Sequence, residues 1–296
     1  SNSGRCVDLK DTSGKIQTFC HKDSMAEDEL KKLNYFDIGD IIGVHGTIRR
    51  TPRGELSVRA TQVTMLSKSL LPLPEKYHGL TDIEQRYRQR YLDLIMNDEA
   101  KAVLRTRSKI VSGIRKYMEA MGAIEVETPI LNAIMGGASA KPFVTHHNAY
   151  DASLYLRVSP ELYLKRLVVG GFADAVFEVG RLFRNEGVST RHNAEFTAIE
   201  GYHAYKDYHD IMELVENLVS TLVKDIHGST KIQFGEHELD FTAPWKRRSM
   251  IDLIKDETGI DFLGFDDVDS AKKAARDLKV DVKNLKADNT AVRTGK

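Results

Sequence analysis

The side chains best suited to chemistry lie close together in residues 183–202. The alternation of polar and apolar residues there predicts a strand, a basic loop and a returning strand. Because side chains two residues apart on a strand share a face, we expect Arg184 and Glu186 on one face of the first strand. Arg191 and His192 lie on the loop. One face of the returning strand carries Phe196, Ala198, Glu200 and Tyr202.

An arginine, two carboxylates and two aromatic rings on one surface could bind a planar base, phosphates and an ammonium group. Arginine suits bidentate contacts to phosphate or carboxylate, and the face of an aromatic ring suits a purine. The alternative is a salt-bridged hairpin with an exposed polar face, since opposite charges often pair across neighbouring strands. The residue types alone leave both interpretations open.

The elements that must position these side chains form the predicted second domain, residues 73–296. Periodicity predicts helices over residues 84–96, 100–121, 160–169 and 209–225, and strands over 154–158, 175–179 and 196–202. Strands that follow one another with helices between them predict an α+β fold, in which helices flank an antiparallel or mixed sheet. Residues 248–296 are charged and are predicted to be helical.

The predicted first domain, residues 1–72, consists of short strands at intervals of about 8–12 residues, which favours a small barrel or sandwich. We prefer an open five-stranded barrel and expect its first strand to precede the start of this chain. The segment Leu71-Pro72-Leu73-Pro74 marks the boundary because its prolines exclude a helix.

The composition excludes several classes of protein. Lys and Arg together number 43, as do Asp and Glu, so any polyanion must be bound by local patches rather than by bulk charge. No apolar run approaches the roughly 18 residues that span a bilayer, so no membrane association is predicted. Cys6 and Cys20 are too few for a disulfide framework or a zinc site, which favours a reducing compartment and predicts a cytoplasmic location.

Four segments and the predicted barrel resemble the class II aminoacyl-tRNA synthetases in their lysyl form. In chain order, the first segment is residues 122–129 (GAIEVETP), which resembles motif 1. Residues 136–143 (GGASAKPF) and 160–166 (PELYLKR) both resemble substrate-side segments. The last segment, residues 183–197 (FRNEGVSTRHNAEFT), resembles motif 2. The barrel resembles the OB-fold anticodon-binding domain of the same family. The resemblance therefore implies an OB-fold followed by the antiparallel-sheet catalytic core of a class II synthetase. Residues 248–296 resemble a helical insertion in that core.

The resemblance implies an enzyme that activates L-lysine with ATP to lysyl-adenylate and transfers lysine to the 3′-terminal ribose of tRNA(Lys). Arg184 would bind the α-phosphate and the lysine carboxylate, and it is the implied catalytic residue. Glu186 would accept the adenine amino group, Phe196 would stack on the ring, and Arg191 and His192 would hold the pyrophosphate. Mg²⁺ is the implied cofactor, and its ligands are expected outside this chain.

The implied lysine contacts are Gly137, Glu161, Arg184, Glu200 and Tyr202. Glu161 and the backbone near Gly137 would bind the α-ammonium group, and Glu200 and Tyr202 would complete the pocket. Two alternatives stay open from the residues themselves. Glu161 at a helix start could merely satisfy free backbone donors, and Phe196 could be a core residue.

The resemblance also implies two macromolecular contacts. On the barrel, Gln17, Phe19 and Glu55 would face anticodon bases, while Arg49 and Arg53 would follow phosphates; a solvated strand face is the alternative. A homodimer is expected through residues 122–129, which begin with Gly122 and end with Pro129.

Two family features are missing from the sequence. No segment resembles the glycine-rich third motif, or the downstream segment with the glutamate that reads the lysine ε-amine. We therefore expect the chain to be the front part of a longer enzyme. The alternatives are a non-catalytic or truncated synthetase-like protein that binds tRNA, and an aspartyl- or asparaginyl-type enzyme, against which the carboxylate of Glu161 argues.

Overall fold

The computed structural model describes residues 4–71, 73 and 80–280. The chain divides into two compact units, Ser1–Thr106 and Arg107–Lys296. The predicted domain boundary falls at Pro72, which lies outside the described residues, as do residues 74–79 of the predicted connector and residues 281–296 of the predicted insertion. The boundary therefore stays a prediction.

The described strands of the first unit form one sheet. Its strands are β1 (Arg5–Lys10), β2 (Lys15–Cys20), β3 (Ile41–Arg50) and β4 (Leu56–Ser67), with helix α1 (Glu27–Lys32) between β2 and β3. The order is β1-β2-β4-β3, with β2 parallel to β4 and the other pairs antiparallel. The described residues thus supply four of the five expected strands, and closure into a barrel stays a prediction.

The inner face of this sheet carries the core of the first unit. Strand residues pack there with two residues of the segment between β2 and β3 in one buried apolar cluster: Cys20, Ala60 and Val63 from the strands, and Met25 and Leu33 from that segment. The strand β3 comes closest to β4 where its register shifts between His45 and Gly46. A Cβ atom at Gly46 would lie 2.2 Å from the carbonyl oxygen of Arg59, so this bulge admits only glycine.

Three helices follow: α2 (Ile83–Arg88), α3 (Arg90–Met96) and α4 (Asp98–Ala120). The single helix predicted over residues 84–96 is therefore wrong, because the backbone leaves helical geometry at Gln89 (φ −117°, ψ 58°). The break gathers donors around the buried carboxylate of Asp93, which accepts from Arg86 Nε at 2.8 Å and Asn97 Nδ2 at 2.6 Å and also pairs with Arg90.

The strands of the second unit form two three-stranded sheets and a hairpin. They are β5 (Ile124–Glu125), β6 (Leu131–Asn132), β7 (Val144–His147), β8 (Ala152–Leu156), β9 (Ala175–Phe183), β10 (Glu195–His203), β11 (Lys231–Phe234) and β12 (His237–Asp240). The orders are β10-β9-β5, β6-β8-β7 and β11-β12. All pairs are antiparallel except β5 with β9.

Helices pack on the sheet that contains β9. The remaining helices are α5 (Glu161–Val169), α6 (Tyr208–His227), α7 (Met250–Thr258) and α8 (Val268–Asp277). Met118 of α4 and Leu214 of α6 pack around the fully buried Phe177 of β9. Helices and mostly antiparallel sheets confirm the predicted α+β class. None of the described helices is long and apolar enough to cross a membrane.

Candidate functional site

Strands β9 and β10 place the predicted motif 2 residues. They pair in register from Phe183 with Glu195 to Ala175 with His203, so alternate residues of β10 share one face. This confirms the predicted grouping of Phe196, Ala198, Glu200 and Tyr202.

The prediction that Arg184 and Glu186 belong to the first strand is wrong, because β9 ends at Phe183. Arg184 N still donates to Ala194 O at 2.9 Å. The next residue then turns away, since Asn185 N donates to Lys141 O at 2.7 Å. Glu186 follows the same path, and its Oε1 atom accepts from Lys141 N at 3.2 Å. The end of the strand is therefore set by a segment far away in sequence.

Arg184 lies against Phe196. The guanidinium carbon is 5.3 Å from the centre of the Phe196 ring, which is the geometry of a cation–π contact. The Arg184 Nε atom is buried and has no hydrogen-bond partner in the described residues. Because a buried donor is costly to leave unpaired, this nitrogen fits an anionic ligand that accepts from it.

A second cluster lies around Ser159, which the sequence did not single out. Ser159 Oγ donates to Glu200 Oε2 at 2.9 Å and accepts from Glu161 N at 3.1 Å. Gly137 has φ of +91°, and a Cβ atom there would lie 3.1 Å from Ser159 Oγ and 3.4 Å from Glu161 Cβ. The structure thus brings three predicted lysine contacts, Gly137, Glu161 and Glu200, together around one hydroxyl.

Tyr202 completes this cluster. Its hydroxyl donates to Glu200 Oε2 at 3.4 Å. The pKa of Tyr202 is raised to about 12, mainly by burial and further by the nearby carboxylates of Glu200 and Glu161. The phenol therefore stays neutral. Lys165 Nζ lies 2.6 Å from Glu161 Oε1 and 5.5 Å from the centre of the Tyr202 ring. An ammonium group is therefore already stabilised at the edge of the cluster.

Arg191 and His192 lie on an exposed loop between β9 and β10. Ser189 organises this loop: its hydroxyl accepts from Arg191 N and from His192 N at 3.2 Å, and it contacts His192 Nδ1 at 2.9 Å. Within the described part of the chain, no hydrogen bond or ion pair joins Arg191 or His192 to Arg184.

Three of the five predicted anticodon contacts lie on β2 and β3, the two strands that flank β4 in the sheet of the first unit. Gln17 and Phe19 share one face of β2, and Arg49 Cζ lies 4.6 Å from the centre of the Phe19 ring. The Arg49 Nε atom is buried and unpaired within the described residues. The His21 ring, which the sequence reasoning missed, lies parallel to Phe19, with centroids 5.5 Å apart and planes at 9°. Alternation along β2 could have found it.

The other two, Arg53 and Glu55, lie at the turn between β3 and β4. Thr51 closes the turn, since its amide donates to Glu55 O at 2.8 Å and its hydroxyl accepts from Glu55 N at 3.1 Å. Both predicted side chains are exposed.

Metal ligands are a separate question. Across residues 4–71, 73 and 80–280, no group of three or more His, Cys, Asp or Glu side chains is placed to hold a metal ion.

Comparison with known proteins gives the family. The family described as tRNA synthetases class II (D, K and N) matches residues 82–290, and the OB-fold nucleic acid binding domain matches residues 5–66. The chain is 55% identical over 281 residues to a lysine–tRNA ligase of Sinorhizobium medicae, an alignment that covers 95% of this chain and 56% of that protein.

Two further relatives give the same result. A lysine–tRNA ligase of Rhizobium meliloti is 56% identical over 95% of this chain and 56% of its own length. One of Dehalococcoides mccartyi is 53% identical over 93% of this chain and 55% of its own length. The chain thus spans about half the length of these relatives. The motifs, the fold and the two family matches agree: the chain belongs to the class II tRNA synthetases of the D, K and N group, with an OB-fold nucleic-acid-binding domain ahead of the synthetase core.

Proposed function

We propose that the protein is a lysine–tRNA ligase. It activates L-lysine with ATP to lysyl-adenylate and transfers lysine to the 3′-terminal ribose of tRNA(Lys). The proposal rests on the cluster around Ser159, which brings together Glu161, Glu200, Tyr202 and Gly137. Glu200 and Tyr202 lie on the same face of β10 as Phe196. Glu200 lies four positions after Phe196 along β10, which is about 13 Å in an extended strand. That spacing suits an aminoacyl-adenylate with its base at one end and its amino acid at the other.

The charge of the cluster favours lysine over the other amino acids of the family. Glu161 and Glu200 both present carboxylates, and Tyr202 is a neutral hydrogen-bonding group. A partly desolvated pocket of this kind attracts ammonium groups and repels the side chain of aspartate. Asparagine carries no positive side chain to compensate the two carboxylates. The ammonium group of Lys165, which lies beside Glu161, illustrates this preference of the cluster for positive charge.

Arg184 would bring the two substrates together. Its free donors would bind the α-phosphate of ATP and the carboxylate of lysine, so that a carboxylate oxygen attacks phosphorus in line with the leaving pyrophosphate. Phe196 would stack on adenine, Glu186 would accept the adenine amino group, and Arg191 and His192 would hold the pyrophosphate. This reaction requires mainly positioning and charge stabilisation, which fixed donors supply.

Several finer assignments belong to the same proposal. Mg²⁺ bound with ATP would neutralise phosphate charge, and no step is assigned to it on the described residues. The OB-fold would bind the anticodon of tRNA(Lys) through Gln17, Phe19, Arg49, Arg53 and Glu55. A homodimer would form through residues 122–129, and two free thiols at Cys6 and Cys20 suit a cytoplasmic location.

Lysine-dependent ATP–pyrophosphate exchange by the full-length protein tests the proposal. We expect exchange with lysine and none with aspartate or asparagine at the same concentration. Exchange with aspartate or asparagine instead of lysine would contradict the assigned substrate. Binding of tRNA without exchange on any of the three would show a non-catalytic relative. Arg184→Lys supplies a matched control for the catalytic role, because lysine keeps the charge but loses the bidentate fork.

A further inference from the structure

We propose that Arg157 and Glu178 are positioning residues that hold the end of β9, and with it Arg184, in place for the reaction. This inference rests on the proposed function. No motif in the sequence singles out either residue. Arg157 follows the last residue of β8, and Glu178 lies on β9.

The two side chains form a buried ion pair. Arg157 Nη1 lies 2.5 Å from Glu178 Oε1, and the two side chains are only 3% and 4% exposed. Thr128 binds both members of the pair, because its hydroxyl donates to Glu178 Oε2 at 2.7 Å and accepts from Arg157 Nη1 at 3.1 Å. Thr128 N also donates to Glu178 Oε2 at 3.2 Å.

Arg157 also binds the backbone of β9 immediately before Arg184. Its Nε atom donates to Arg181 O at 2.9 Å, and its carbonyl oxygen accepts from Phe183 N at 3.0 Å. Gly180 makes room for this contact, since a Cβ atom there would lie 2.2 Å from Arg157 Nη2. Arg157 thus binds the peptide groups of Arg181 and Phe183, which precede Arg184 in the sequence by three residues and by one residue.

Stability alone does not account for such a pair. Burying two charges carries a desolvation penalty that often cancels their attraction, and well-packed apolar residues of similar volume are commonly as stable. A guanidinium, however, has donors in a rigid fork, so it fixes the relative positions of the groups that it binds. Here those groups are Thr128, Glu178 and the backbone of β9, which lies next to the substrate-binding Arg184.

The same pair reaches the segment assigned to the dimer interface. Thr128 belongs to residues 122–129, through which we propose that two copies associate. Arg157 Nη1 also donates to the carbonyl oxygen of Thr128 at 3.2 Å. The proposed interface segment and Arg184 are therefore attached to one buried ion pair, which would keep the interface segment and the catalytic strand in a fixed relationship.

The test compares two double variants of the full-length protein in the lysine exchange assay. Arg157→Met with Glu178→Leu removes both charges and leaves neither unpaired, so we expect a cooperative melt within a few degrees of wild type. We expect kcat to fall about 100-fold, because misplacement of about 1 Å has that effect on reacting groups, while the KM for lysine changes less than threefold. Arg247→Met with Glu216→Leu removes another ion pair that has one buried partner, and it should leave kcat unchanged.

A second pair of variants covers the case in which the first double variant does not fold. Thr128→Val keeps the shape but removes the hydroxyl, and it should lower kcat, whereas Thr128→Ser restores the hydroxyl and should restore kcat. A folded Arg157→Met/Glu178→Leu protein with wild-type kcat would overturn the inference, as would a Thr128→Val protein with wild-type kcat. A wild-type protein without lysine exchange would instead overturn the proposed function, and the inference with it.

Discussion

The hydroxyl of Ser159 donates a 2.9 Å hydrogen bond to the carboxylate of Glu200 and joins the start of helix α5 to strand β10. The same oxygen accepts from the amide of Glu161, the first residue of that helix. One small side chain therefore links the carboxylate of Glu200 to the backbone of Glu161, and the carboxylates of these two residues would bind lysine. Gly137 packs directly against it, so the loop that carries Gly137 is positioned by the same atom.

Replacing Ser159 by alanine should weaken lysine binding without affecting ATP. The change removes one donor to Glu200 and leaves the Glu161 amide without its partner. Hydrogen bonds to charged groups contribute about 1.5–3 kcal/mol, so the KM for lysine should rise roughly 10- to 100-fold. The KM for ATP, measured in the same exchange assay, is the internal control. An unchanged lysine KM in Ser159→Ala would show that Glu161 and Glu200 hold their positions without the hydroxyl.

Replacing Glu161 by glutamine should abolish lysine exchange at ordinary lysine concentrations. The amide keeps the size of the side chain but removes the charge that would bind the α-ammonium group, and it presents a donor where an acceptor is needed. Lys165→Met is the matched control, because it removes the present partner of Glu161 and leaves the carboxylate free for substrate. Near-normal exchange by Glu161→Gln would favour the alternative role of this carboxylate at the helix start.

Local periodicity explains what could be predicted about the site. Alternation along a strand depends only on neighbouring residues, so it placed Phe196, Glu200 and Tyr202 on one face correctly. The motifs also gave the family and the α+β class correctly. These features are encoded within short segments, and a reader of the sequence needs no knowledge of the packing to find them.

The features that escaped prediction depend on residues far apart in sequence. Strand β9 ends at Phe183, and Lys141 binds Asn185 and Glu186 just beyond that end. No pattern around Arg184 reveals that partner. Ser159 was missed because its hydroxyl acts only where α5 meets β10. The break at Gln89 likewise has no helix-breaking residue to reveal it, and it brings donors together around Asp93.

Replacing Phe19 by leucine should weaken binding to the anticodon stem-loop of tRNA(Lys). Stacking between a base and an aromatic ring contributes about 1–3 kcal/mol, so the Kd should rise roughly 10- to 100-fold. Lysine-dependent exchange without tRNA should stay unchanged, because Phe19 lies in the first unit. Tyr35→Leu removes an exposed aromatic ring of the same unit outside the strands and is the control. Equal Kd values for the Phe19 and Tyr35 variants would contradict the assigned surface.

Replacing His203 by glutamine should reduce the loss of stability on acidification. Burial, reinforced by the Lys206 ammonium and opposed by Asp210, lowers the pKa of His203 below its ordinary value of 6.5. Below about pH 6.5 the unfolded chain therefore binds a proton that the folded protein excludes, so the free energy of unfolding falls as the pH falls. His203 Nε2 is buried without a partner in the described residues, so the imidazolium would gain no compensating acceptor.

Urea unfolding at about pH 7.5 and about pH 5 measures the effect. The decrease in the free energy of unfolding between these two pH values should be smaller in His203→Gln than in wild type. Replacement of the exposed His237 by glutamine should leave the decrease as it is in wild type. The prediction fails if His203→Gln and wild type lose the same free energy over this interval, because the protonation of His203 would then differ little between the folded and unfolded states.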